Sequence, residues 1–382
     1  MKLLIVSAYF ETHRGGIERV AGMLARALSK RGIEVVWLAA NSTPPRPIEN
    51  VELVEVRANN WVQGKLGVPV PIWGPRALVA LWKSIGQADI LMLHDTLYTG
   101  NVAAYLISRL RRKPIVIVQH VGSIAFSNRI LRSIMWIGDR IVGRRMLSRA
   151  DQVVFISERI QQEFGSVRFR RTPEIIFNGV DTTIFRPAND RAEIVSSRRR
   201  LGIPEGFPVV LFAGRFVSRK GLELVHFLAA NHSKIAFLLA GWGPIDPLDW
   251  KLANVYVTSA DTAAEMCAIF QASDCLLLPS TGEGFPLVVQ EALSTGLPII
   301  ISSETAEADK MLSSWIEHAP VDPDDVLAHR DQWSKILDRM IDSLEFEDQA
   351  RRSDRAKFAE ARYGWDVAAD KYRRNLRNLS GS

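Results

Sequence analysis

The chain has 382 residues, more than one hydrophobic core usually serves, so two domains of similar size are expected. Its 47% hydrophobic and 24% charged content is that of a folded soluble protein and excludes disorder, a collagen-like chain and a disulfide scaffold. The net charge of +6 is uneven: residues 1–180 carry 25 basic and 13 acidic side chains, a net of +12, and the remainder a net of −6, so the halves face different partners.

In chain order, the opening Met1-Lys-Leu-Leu-Ile-Val reads as a buried first strand, too short for a signal peptide or a membrane span. Further strands are expected at Glu34–Ala39, Val51–Val56, Asp89–His94, Pro114–Gln119, Gln152–Ile156 and Glu174–Phe177. Between the first two, Ile17, Val20, Ala21, Leu24 and Leu28 follow helical spacing and Gly32 stops the helix, which completes one βαβ unit. From Thr182 to Gly206 the pattern lapses into Pro, Asn, Asp and Arg, as in a crossover between domains.

A second alternating series comes next, with strands at Val209–Ala213, Ile235–Ala240, Val255–Thr258, Cys275–Pro279 and Pro298–Ser302. Its helices start near Lys220, Thr262, Pro286 and Asp324, and Trp365, Val367, Ala368 and Tyr372 mark a last amphipathic helix. Cys267 and Cys275, the two cysteines, both lie in apolar runs, as buried free thiols of a reducing, cytoplasmic compartment do. The fold class is therefore α/β, with two Rossmann-like parallel sheets in tandem.

Three segments can carry chemistry. Glu283-Gly-Phe-Pro-Leu-Val-Val-Gln-Glu291 sits where a strand gives way to a helix, and ligands of doubly wound sheets bind outside the carboxyl ends of the strands. Glu283 and Glu291, about two helical turns apart, suit hydroxyl clusters of a sugar. Gly214-Arg-Phe-Val-Ser-Arg-Lys-Gly221 places Arg215 and Lys220 at a helix start, where free amides and positive charge favour a diphosphate. Gly15-Gly16 with Glu18 lets backbone approach a ligand at another helix start. None of these is G-x-G-x-x-G, and Gly241-Trp-Gly243 is only a fragment of it, which disfavours a dehydrogenase.

Taken together with His94 after a strand, His120 after Val-Gln, Ser157-Glu158 and Asn178-Gly-Val-Asp181, these pieces resemble glycosyltransferase family 4 over nearly the whole chain. The resemblance implies a GT-B fold, two domains facing across a cleft, and metal-independent, retaining transfer of a hexose-type sugar from a UDP- or GDP-sugar. Residues 1–180 would form the acceptor domain, with the C-terminal helix 363–379 packed back on it, and 181–362 the donor domain. Arg215 and Lys220 would hold the donor diphosphate with the backbone of Gly16. Glu283, with Gly284, Phe285 and Pro286 behind it, would hold the donor sugar, and Glu291 the ribose. Leu287 and Val288 would pack near ribose or base, and His120 beside the donor sugar. Glu18, His94 and Asp95 would lie on the acceptor side. No cofactor and no metal are expected, and Asp322-Pro-Asp324-Asp325 reads as a helix cap.

On a helical wheel of residues 128–149, Arg129, Trp136, Arg140 and Arg144 share one sector, which suits an anionic membrane surface, with Arg109, Arg111, Arg112 and Lys113 near in sequence. Peripheral attachment to the inner face of the membrane and a lipid-linked saccharide acceptor follow as expectations. A soluble acceptor, or a non-catalytic sugar-nucleotide-binding subunit, is the alternative. Nucleic acid is not expected, because the basic half shows no recognition module.

Overall fold

The computed structural model describes residues 1–13, 15–41, 44–59, 71–122 and 129–380, without the side chains of 129–132 and 134. The chain divides into two compact units, Met1–Gly179 with Trp365–Ser382, and Val180–Gly364. Each holds one parallel sheet.

In the first unit, seven strands lie in the order Val51–Val56, Glu34–Ala40, Lys2–Tyr9, Ile90–His94, Ile115–Gln119, Gln152–Phe155, Glu174–Ile175. The central strands are buried along nearly their whole length, as unbroken apolar runs should be in a sheet covered on both faces. The order reverses beside Lys2–Tyr9, so the crevice for a ligand opens at the carboxyl ends of Lys2–Tyr9 and Ile90–His94. The helix Trp365–Ser380 belongs to this unit. It packs on the helix Gly16–Ser29 through Ala369, Tyr372 and Leu376, and Arg31 binds Asp370 at 2.7 Å and Asp366 at 2.8 Å.

The second unit has six strands in the order Val255–Thr258, Ala236–Trp242, Val209–Arg215, Cys275–Leu278, Ile299–Ser302, Ile316–Ala319. Here the order reverses between Val209–Arg215 and Cys275–Leu278, the two strands that lead into the Arg215–Lys220 and Glu283 segments. At the end of the unit the Val180 N–H donates to the Tyr363 carbonyl at 2.7 Å. One residue earlier in the chain, Gly179 lies so close to the Trp365 indole that a Cβ there would fall 2.1 Å from the ring.

The structure corrects three expectations. The 182–206 crossover contains a helix, Arg191–Arg200, which is too polar for a hydrophobic period to reveal. Asp190 caps it by accepting the Glu193 N–H at 2.9 Å, and Arg198 ties it to Asp274 at 2.7 Å. The strand Ile316–Ala319 was not expected, because this edge strand is apolar only at its two ends. The helix expected near Asp324 starts at Arg330, since the Asp322 carboxylate accepts the N–H groups of Asp324 and Asp325 in a turn before it.

Candidate active site

In the second unit two loops meet at the sheet's switch point. After Val209–Arg215 the backbone turns through a 3₁₀ segment, Ser218–Lys220, and Gly221 starts the helix Leu222–Asn231 with φ +74°. No other residue fits Gly221: a Cβ would meet the Pro279 carbonyl oxygen at 2.3 Å, as well as force a left-handed backbone. After Cys275–Leu278 the neighbouring loop approaches so closely that the Thr281 N–H donates to the Arg219 carbonyl at 3.0 Å.

This approach brings Lys220 and Glu283 together across 63 residues of sequence, with Nζ 2.9 Å from Oε1. Both side chains are largely buried, at 11% and 16% exposure, so the pair is poorly screened by water. The Lys220 side chain runs over Gly214, whose φ is +153° and whose missing Cβ would lie 3.7 Å from Cε. Arg215 is exposed beside this pair, its guanidinium 5.1 Å from the centroid of the half-exposed Trp242 ring, a cation–π distance. The site thus offers one exposed cation and one paired cation at a helix start, a suitable arrangement for a diphosphate.

Beyond Glu283, Pro286 caps the helix Leu287–Ser294, which leaves the first amide groups of that helix at the loop. Gly284 is half-buried, as are Leu287 and Val288. Pro286 has no N–H to offer a ligand, and the Phe285 side chain turns into the core, edge-on to Tyr363 at 5.4 Å. Glu291 is 3% exposed on the same helix. Two residues escaped the sequence reading. Glu304 accepts the Gly282 N–H at 3.0 Å and so fixes the turn before Glu283; nothing in the sequence links the two. Trp242 was visible within Gly241-Trp-Gly243, whose glycines serve backbone packing: a Cβ at Gly241 would fall 1.8 Å from the Gly214 carbonyl oxygen.

In the first unit, the carboxyl ends of the central strands gather a buried polar cluster. His94 and His120 are hydrogen-bonded, Nδ1 to Nε2 at 2.8 Å, with the rings stacked at 22°. Burial lowers the His94 pKa to about 3 and that of His120 well below the usual value, His94 adding to the latter, so both rings are neutral and share one proton. Asp95 adopts a left-handed backbone, φ +65°, held by the Asn101 side chain, which donates to the carbonyls of His94 and Asp95 at 2.6 and 2.8 Å. Its carboxylate accepts the His120 N–H at 2.7 Å and the Val121 N–H at 3.3 Å. Glu18 folds back over Gly15, where a Cβ would lie 1.9 Å from its carboxylate. Gly16, by contrast, faces open space.

His94, Asp95 and Glu18 are all buried, so these three organise the helix start and the His120 turn from beneath. Burial raises both carboxyl pKa values to about 7. An acid whose folded pKa is raised adds stability below its unfolded value, near 4, and loses it as pH climbs through about 7. Glu18→Gln removes that term. Its melting temperature is therefore expected to gain on the wild type between pH 5 and pH 8, as measured by calorimetry; a constant difference would mean that Glu18 is ionised throughout.

The basic helix behaves differently from the wheel. A π-turn at Asp139–Gly143 interrupts it and shifts the phase of the residues after it. Trp136 and Arg140 are exposed, but Arg144 turns inward to Asp139 at 3.1 Å and Ser166 at 2.9 Å, over the Phe164 ring. The Arg129 side chain lies outside the described residues. Among the described residues no helix is long and apolar enough to cross a membrane.

Comparison with known proteins bears on both units. The model for Glycosyltransferase Family 4 matches residues 14–184, and that for Glycosyl transferases group 1 matches 194–358. Among curated proteins, the chain is 25% identical to a D-inositol 3-phosphate glycosyltransferase of Xylanimonas cellulosilytica, over 93% of this chain and 89% of the other. It is also 25% identical to a phosphatidyl-myo-inositol mannosyltransferase of Mycobacterium tuberculosis, over 100% and 98%. Among solved structures, sucrose-phosphate synthase of Thermosynechococcus elongatus has a TM-score of 0.74 at 17% identity, covering 99% of both chains. Anabaena Alr3699/HepE in complex with UDP has 0.71 at 16%, covering 99% and 100%.

Proposed function

Because this chain belongs to glycosyltransferase family 4, with the GT-B fold, it is a glycosyltransferase, and we propose that it uses a UDP- or GDP-hexose as donor. The observation that carries the reading is the Lys220–Glu283 pair with Arg215 beside it, at the switch point of the second sheet. Arg215 and Lys220 stabilise the diphosphate as it leaves, which is where charge grows in the transition state. Glu283 and the amides of Gly284 and Phe285 hold the sugar, and Glu291 the ribose. The departing phosphate takes the acceptor proton on the face by which the acceptor enters, with retention. We assign the acceptor side to the first unit, where His120 is a neutral hydrogen-bonding group at the carboxyl end of the sheet.

The acceptor we favour is a polyol carrying phosphate, as an inositol phosphate or the head group of phosphatidylinositol, since both curated relatives are named for such substrates. Thermal shift in the presence of UDP, GDP and their hexoses identifies the donor, because a ligand that binds only the folded state raises the melting temperature. Transfer from that donor to inositol 3-phosphate or phosphatidylinositol is then expected, with the anomeric configuration kept. Turnover is expected to survive excess EDTA, the Asp322 carboxylate already being used by its own turn. Loss in EDTA, restored by Mg²⁺, would overturn the metal-free mechanism; no shift with any nucleotide would overturn the donor assignment.

A further inference from the structure

Arg215 and Trp242 are the last residues of two neighbouring parallel strands, Val209–Arg215 and Ala236–Trp242, and are register partners. Their side chains therefore leave the sheet on the same side. The backbones that carry them are locked together. One residue earlier, Gly214 and Gly241 are in the close contact described above; one residue later, the Phe216 N–H donates to the Trp242 carbonyl at 2.8 Å. A Cβ on Gly243 would fall 2.3 Å from the Phe216 carbonyl oxygen, so the chain on the far side of Trp242 is pressed against the same strand end. Ring and guanidinium meet because neither strand end can move away from the other.

The two cations of the site are held in opposite ways. Lys220 is paired with the Glu283 carboxylate. The Arg215 guanidinium makes no ion pair and no hydrogen bond among the described residues, and its partner is the Trp242 ring, 47% exposed and 5.1 Å away at the centroid. The difference matters for an anionic ligand. A carboxylate would orient the arginine but would occupy its N–H groups and repel a diphosphate. An aromatic face attracts the cation through its quadrupole and accepts none of those N–H groups in the guanidinium plane. The arginine is thus placed at the end of the sheet with its planar fork still open to two phosphate oxygens.

We infer that Trp242 is a positioning residue for transfer: it holds Arg215 ready for the donor diphosphate and acts on the nucleotide only through that arginine. The inference rests on the donor reading above and adds to it a residue outside the two loops that meet at the switch point.

The test is calorimetric binding of UDP, GDP and inorganic pyrophosphate to the full chain and to Trp242→Phe, Trp242→Leu, Arg215→Ala and the double variant Trp242→Leu with Arg215→Ala. Trp242→Leu is expected to weaken the preferred diphosphate about five- to tenfold, and Trp242→Phe, which keeps an aromatic face, to recover most of that loss. In the Arg215→Ala background Trp242→Leu should cost nothing further, a coupling that a purely structural role would not produce. In the unliganded protein the Arg215 Nε–H proton resonance, identified by its disappearance in Arg215→Ala, should be displaced by the ring current of Trp242 and return to an ordinary position in Trp242→Leu. Equal losses from Trp242→Leu with and without Arg215 would overturn the inference, since Trp242 would then touch the nucleotide itself or support the fold. So would normal binding by Trp242→Leu, or a Trp242→Phe no better than Trp242→Leu. Failure of the wild type to bind any of the three ligands, with the displaced Arg215 resonance intact, rejects the donor reading and with it the role of Trp242; weak binding by Arg215→Ala beside normal binding by Trp242→Leu rejects the role of Trp242 alone.

Discussion

Lys220→Ala is expected to lower turnover by about a hundredfold or more, equivalent to about 2.7 kcal/mol of transition-state stabilisation. The side chain is 11% exposed and held 2.9 Å from Glu283, so in the proposed mechanism it would meet the departing phosphate already oriented and partly desolvated. The pairing also predicts coupling. Glu283→Ala alone leaves Lys220 free to move, Lys220→Ala alone leaves a carboxylate beside the anionic donor, and the double variant removes both. The double variant should therefore be less impaired than the product of the single losses. Steady-state kinetics on the four proteins of the cycle, with melting temperatures as a check, decide it. Simple multiplication of the two losses would show that the pair does not act as a unit, and near-normal turnover of Lys220→Ala would remove the lysine from the mechanism.

Asp309→Ala is expected to destabilise the second unit by about 2–4 kcal/mol, the cost of removing the common acceptor of the buried Tyr363 hydroxyl and the partly exposed Arg362 guanidinium. Asp309 has no exposed surface. Its carboxylate accepts from Arg362 Nη2 at 2.6 Å, from the Tyr363 hydroxyl at 2.6 Å and from the Met311 N–H at 3.0 Å. In a unit of this size such a loss lowers the melting temperature by roughly ten degrees. Tyr363 in turn packs edge-on against Phe285, so the same change should loosen the Glu283 loop and raise the donor KM. Phe346→Ala, at a 69% exposed position, is the control and should leave both quantities unchanged. A shift of less than a few degrees in Asp309→Ala would show that solvent reaches the site and replaces the carboxylate.

The alternating runs were legible because central strands of a doubly covered sheet are continuous apolar words: Leu3–Val6, Val209–Ala213 and Leu276–Leu278 are buried and read as such from sequence. Arg191–Arg200 escaped because its stability comes from the Asp190 cap and the Arg198–Asp274 pair, which have no periodic signature. The helical wheel failed at Arg144 for a geometric reason, since one π-turn changes the angle per residue on which the wheel depends. At the site, the residue types were legible and their pairings were not. Lys220 and Glu283 each stood out within a local motif, but only the adjacency of Val209–Arg215 and Cys275–Leu278 brings them into contact. For His94 and Asp95 the position at a strand end was legible; the burial that neutralises the rings and raises the carboxyl pKa comes from surrounding layers.

The C-terminal helix Trp365–Ser380 sets an order of events during synthesis. Its buried residues Ala369, Tyr372 and Leu376 close the side of the first unit that carries Gly16–Ser29, yet they leave the ribosome only after the whole of 180–364 has been made. At about 5–20 residues per second, that interval lasts roughly ten to forty seconds. During it the nascent first unit has its sheet but not its last layer, and the apolar groove awaiting the helix is open to chaperones and to neighbouring chains. Newly made protein is thus at its most aggregation-prone before Trp365–Ser380 docks, and removal of that helix would leave it permanently in that state.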